Sequence, residues 1–196
     1  MLDAERKATT TAASAAGVAA ASSRSSSELT RSTAAALLSW IRSSTDGNGL
    51  VVADDGGVST SDTAERQALW AEHAPTVLQL VEDVGTEPGL DPELQQLYTE
   101  AVMYSVASGG IIKAFVSGKA VAFTSAMKVL VNKFPTHDNG VAFIFQGSYY
   151  LAAPWPVRST RKAQENFDKA VKINGRSRRN VYYAGLARLA CGDREG

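Results

Sequence analysis

Between Asn139 and Ala170 the sequence sets Phe143, Gly147 and Tyr150 in one apolar segment and Ala163, Phe167 and Ala170 in the next. Each trio is spaced by four residues and then three, which places all three side chains on one face of an α-helix. Glycine in the middle of the first face lets a neighbouring helix approach closely, and the rings of Phe143 and Tyr150 fill the space around that contact. The second face, an A-x-x-x-F-x-x-A pattern, offers one large ring between two small residues. Two faces of this kind in succession predict a pair of antiparallel helices packed at short range.

The rest of the chain is read in the same way. Ser26 or Ser27 caps a helix with Glu28 in its first turn and Leu29, Ala36, Leu37, Trp40 and Ile41 on one apolar side. Thr45 to Thr63, rich in Gly and Asp, reads as a long loop in which only Gly49 to Ala53 resembles a strand. A helix capped near Ser61 or Asp62 then runs through Trp70, Ala74, Val77, Leu78 and Leu80 to Val84, where Gly85 and Pro88 stop it. Asp91-Pro92-Glu93 opens the next, because proline at the first helical position sacrifices an amide that has no intrahelical partner. Its inward residues are Leu94, Leu97, Tyr98, Ala101, Val102, Tyr104 and Val106. Helical pattern continues from Ile111 to Phe134, with a break near Ser117 and Gly118. Two further helices are expected after Asp138 and Asn139, one after Val157, and a last one from about Arg179. The expected class is all-α, with residues 1-60 an N-terminal arm of one amphipathic helix and a loop, and residues 61-196 a helical domain of about three helix pairs.

The unit from Asn139 onward resembles a tetratricopeptide repeat, a helix pair recurring about every 34 residues. Val181, Ala184 and Gly185 take the first-helix places of a following unit, so the closing helix either caps the array or begins another pair. The turn inside the clear unit is expanded into Ala152-Ala153-Pro154-Trp155-Pro156-Val157. Together with the helix behind it, APWPVRSTRKAQENFDKAV resembles the TRAP-transporter T-component family, over roughly Phe143 to Gly192. That resemblance implies antiparallel pairs stacked as a TPR-like superhelix, which binds a transporter component or a hydrophobic ligand.

Equal totals of 20 basic and 20 acidic residues hide a segregation. Asp46 to Glu100 holds twelve acids against Arg66 alone, and Val157 to Gly196 holds ten bases against four acids. Either the two segments neutralise one another in a stacked array, or they present docking faces of opposite sign. The apolar run from Ile111 to Val131 is interrupted by Lys113, Lys119 and Lys128, so no transmembrane segment is expected, and membrane association would run through a partner. Residues 1-32, rich in Ala, Ser and Thr, read as an organelle transit peptide or a low-complexity tail, with Asp3 and Glu5 against an intact transit peptide. A plastid or mitochondrion is expected ahead of a periplasm.

No constellation for catalysis emerges. Ser117-Gly118-Lys119-Ala120 lacks both the first glycine and the Ser or Thr of a phosphate loop, and reads as a junction between helices. His73 and His137 have no partner at catalytic spacing; the first reads as a solvated residue and the second as part of the next helix cap. Asp54 and Asp55 lack the progression of a calcium loop, and the single Cys191 forms no internal disulfide and no zinc set. No enzyme, metal, cofactor or nucleic-acid partner is therefore expected. The candidates for contact with a protein partner or an apolar small molecule are Tyr149, Trp155, Arg158, Arg161, Arg176, Arg178 and Arg179, and those for repeat packing are Phe143, Gly147, Tyr150, Ala163, Phe167, Ala170 and Gly185. The leading expectation is a scaffold or adaptor subunit of a larger assembly; the alternative is a hydrophobic-ligand or transporter-component binding protein.

Overall fold

The computed structural model describes residues 25–45, 50–52, 57–60 and 62–192. The opening segment read as a transit peptide or tail, and the Asp54-Asp55 pair, lie outside them. Eight helices carry the fold: α1 (residues 25–45), α2 (Ala64–Asp83), α3 (Pro92–Ala107), α4 (Ile111–Val116), α5 (Ala120–Lys133), α6 (Val141–Ala152), α7 (Thr160–Ile173) and α8 (Arg178–Ala190). Between α1 and α2 lies a two-stranded antiparallel ribbon, β1 (Leu50–Val52) and β2 (Val58–Thr60), in a segment the composition marks as loop. A single helix, not two, occupies the stretch between Asn139 and Val157.

Local chemistry accounts for most boundaries. The Asp91 carboxylate accepts from the Leu94 amide at 2.9 Å with Pro92 in the first turn, as the Asp-Pro-Glu opening predicts. Thr63, one or two residues beyond the expected cap, accepts from the Arg66 amide and opens α2, which carries Pro75 in its interior. Ser159 opens α7 by accepting from Lys162. Gly118 turns with a positive φ between α4 and α5, so Ser117 to Ala120 is the expected helix junction.

Three buried clusters hold the helices together. The first joins Ala34, Leu38 and Ile41 of α1 to Trp70, Ala74, Val77 and Val81 of α2 and Leu94, Ala101 and Tyr104 of α3. The second joins Val102 of α3 to Phe123, Met127 and Leu130 of α5 and Val141, Ala142 and Phe145 of α6. The third joins Ile144 and Leu151 of α6 to Ala163, Phe167 and Ala170 of α7 and Ala184 and Ala187 of α8. Successive clusters thus share a helix, first α3 and then α6. β2 lies against α6 and β1 against α8.

Position 60, where the sequence reading divides arm from domain, falls inside this arrangement, since α1 belongs to the first cluster. Its buried stripe is Ala34, Leu38, Ile41 and Thr45, while Leu29 is 70% exposed and Trp40 stands outward over the edge of His73 at 4.9 Å. The helix is turned this way by its polar partners. The Trp70 indole donates to the Thr45 hydroxyl at 3.1 Å, Arg31 meets Asp91 at 2.8 Å, and Arg42 forks onto Glu100.

The α6–α7 pair follows the spacing argument closely. Gly140 at the start of α6 sits against Ala170 and Ile173 near the end of α7, Gly147 sits against Phe167, and Tyr150 lies under Lys162 near the start of α7. Contacts running in opposite senses along the two helices make the pair antiparallel. A Cβ built on Gly147 would lie 2.7 Å from Cδ1 and Cζ of Phe167, a distance no side chain tolerates. Phe143 and Tyr150 are half-buried beside this contact, facing Lys169 and Lys162. Gly185 differs: a Cβ there would meet nothing within 4 Å, so no helix approaches closely at that position.

Candidate functional site

The helices line a cavity of about 290 Å³, partly open to solvent and bounded by α3, α4, α5 and α6, with α1 and α8 each contributing at one end. Its composition follows from which faces are left when the clusters form. Met103, Phe115, Phe123, Ile144, Phe145 and Tyr149 make most of its wall. The rings interlock: Phe115 stacks on Tyr149 at 5.6 Å, and Phe123 meets Phe145 edge-on at 6.3 Å. Small Ala107, Ala114 and Ala120 leave the space that larger residues would fill.

The polar end is built from two ion pairs. Glu100, 5% exposed on α3, accepts two bonds from Arg42 of α1, one of them at 2.8 Å from Nη2. Burial pushes the Glu100 carboxyl above its ordinary range, with the hydrogen bonds and charge of Arg42 pulling against that shift. Asp138, in the turn before α6, accepts from Arg179 of α8 at 2.7 Å and from Gln96 of α3 at 3.3 Å. Burial acts to raise the Asp138 carboxyl, but Arg179 and the accompanying hydrogen bonds hold it below the usual value. Tyr104 stands nearby, its hydroxyl held protonated by burial and by the charge of Glu100. The Tyr183 and Ser148 hydroxyls share a hydrogen bond at the same end.

Asp138 keeps its place through an unusual turn. Asp138, Asn139 and Gly140 all have positive φ, at 39°, 56° and 80°, and side chains from the α7–α8 turn fasten them. Asn180 donates to the carbonyls of Asn139 and Ala170, Asn174 donates to the Asn139 side chain, and Arg179 reaches the Asp138 carbonyl. A non-glycine residue in the left-handed region costs energy that such cross-links offset, and Asp and Asn bear it best. His137 contributes its carbonyl, which accepts from Gly140, rather than a side-chain cap.

Of the candidate contact residues, Tyr149 and Arg179 line the cavity. Trp155 is 89% exposed in the turn before α7, away from the cavity lining. The cis Trp155–Pro156 bond belongs to that turn. Arg158 and Arg161 are exposed beside it, Arg161 pairing with Glu165, while Arg176 and Arg178 are exposed beyond the far end of α7. A 14-residue helix is about 20 Å long, so these two groups do not form one site. The cavity residues that sequence reasoning passed over are chiefly Arg42, Glu100, Phe115, Phe123 and Asp138. One signal was present: Glu100 lies on the inward stripe with Leu97, Ala101 and Tyr104, an acid where only a partner inside the fold makes sense.

Among the described residues there is no cluster of potential metal ligands, and no helix is long and apolar enough to cross a membrane. No family model matches the chain, and no curated protein or solved structure matches it.

Proposed function

We propose that this chain is a non-enzymatic helical-repeat protein that holds an apolar small molecule in the cavity between α3, α5 and α6. The observation that carries this reading is a partly open cavity of about 290 Å³ with an aromatic and aliphatic wall, near the lower end of the range that small-molecule sites occupy. A TPR-like stacking of helix pairs is part of the proposal. It is supported by the close approach at Gly147, and by clusters that share α3 and α6 as neighbouring units of an array share their interfaces. Binding suits the site better than catalysis, because each charged group at its polar end is already engaged by an opposite charge.

The test is fluorescence titration with N-phenyl-1-naphthylamine, an apolar dye that brightens out of water. Saturable binding at one site per chain is expected. Ala120→Phe, which puts a ring into the cavity, should weaken binding at least tenfold with the helical circular dichroism retained. Absence of binding, or an unchanged affinity in Ala120→Phe, would remove the cavity reading.

A second reading, an adaptor that docks a protein partner, is favoured by Trp155. An indole 89% exposed on a proline-flanked turn, with Arg158 and Arg161 beside it, has the residue types that dominate interface energetics. In low-salt pull-downs from native extract, that reading requires Trp155→Ala to lose stoichiometric partners that the wild type retains, with dye binding unchanged.

A further inference from the structure

The polar end of the cavity restricts what kind of molecule fits, and the following rests on the reading of the cavity as a binding site. Two guanidiniums and two carboxylates converge there as closed pairs, Arg42 with Glu100 and Asp138 with Arg179. Their charges cancel. A carboxylate or phosphate head entering this end would have to displace Glu100 or Asp138 from its arginine, or lose part of its hydration without a counter-charge; an ammonium head faces the converse. An uncharged hydroxyl does neither.

The hydrogen-bonding inventory points the same way. Carboxylate oxygens carry about four lone-pair sites, so Glu100 retains acceptor capacity after its two bonds from Arg42. Among the protein's own atoms, the buried Nε of Arg179 has no acceptor. A hydroxyl donates one bond and accepts another, matching an end that has an acceptor and a donor to spare.

We propose that the cavity takes an uncharged amphiphile, an apolar body ending in a hydroxyl, with the head at the Arg42–Glu100 and Asp138–Arg179 end. Selectivity comes from the cancelled charge of the two pairs, and the aromatic wall supplies affinity without discriminating among heads.

The test is competition by 1-decanol, decanoate and decylammonium against bound N-phenyl-1-naphthylamine, at pH 7, low salt and concentrations below aggregation. Decanol is expected to displace the dye at least tenfold more tightly than either ion. Asp138→Asn leaves Arg179 without its counter-charge, in a left-handed backbone position that asparagine accepts, and should shift the preference toward decanoate about tenfold. Glu100→Gln, acting on Arg42, should shift it the same way and serves if the first variant is unstable. Decanoate or decylammonium binding as tightly as decanol to the wild type would overturn the head-group inference while leaving the apolar site intact. An unchanged preference in a folded variant would overturn it too. Failure of the dye itself to bind would overturn both this inference and the reading on which it rests.

Discussion

Two helical glycines meet opposite surroundings, and a single methyl group separates them. At Gly147 a methyl collides with the Phe167 ring, so Gly147→Ala should lose about 1–3 kcal/mol by overpacking even though alanine is the better helix former by about 1 kcal/mol. At Gly185 nothing stands within 4 Å, and Gly185→Ala should gain about 0.5–1 kcal/mol from propensity alone. Urea unfolding of the two variants checks both signs. Asp138 gives a prediction in pH. Its carboxyl is held below the ordinary value in the folded state, so its contribution is present above the unfolded value, near pH 4, and is lost as pH falls through the folded value. Asp138→Asn should therefore cost about 0.5–1 kcal/mol at neutral pH, modest because the pair is a third exposed, and the gap from wild type should close as pH falls through the folded value.

At the scale of the element, α1 shows how a helix legible from its composition takes its orientation from elsewhere. Several apolar residues surround its axis, and Leu29, Leu37 and Trp40 compete with Leu38 for the inward side. The contest is settled by Thr45 under the Trp70 indole and by Arg31 and Arg42 on the acids of α3. Leu38, fully buried, should cost about 2–5 kcal/mol when cut to alanine, whereas Leu29→Ala should change stability by less than about 0.5 kcal/mol. Thermal unfolding of the pair measures this. The same docking brings Arg42 to the cavity, so the element that the sequence sets apart as an arm supplies the guanidinium that pairs with buried Glu100.

For the whole molecule, three clusters joined by shared helices predict a gradient of local stability. α3 and α6 are each held by two clusters, α1, α2, α5, α7 and α8 by one, and α4 by none, so amide hydrogen exchange should be slowest in α3 and α6 and fastest in α4. Uniform protection along the chain would contradict that arrangement. The helical class, most boundaries and the α6–α7 contact were legible in the amino acids, because caps, prolines and three- and four-residue spacing act within one helix or between neighbours. Gly147 announced a close approach, and Phe167, twenty residues on, was the ring that fills it. The cavity as a whole was not legible: Arg42, Glu100, Phe123, Asp138 and Arg179 come from five separate parts of the chain, and although Glu100 stood out on its apolar stripe, nothing local told that these five would meet. Local spacing by itself determined that this chain makes paired helices with a glycine at their contact. Tertiary packing alone decided which faces were left over to enclose an apolar space, and which charges met at its end, because those outcomes depend on long-range contacts that no local pattern encodes.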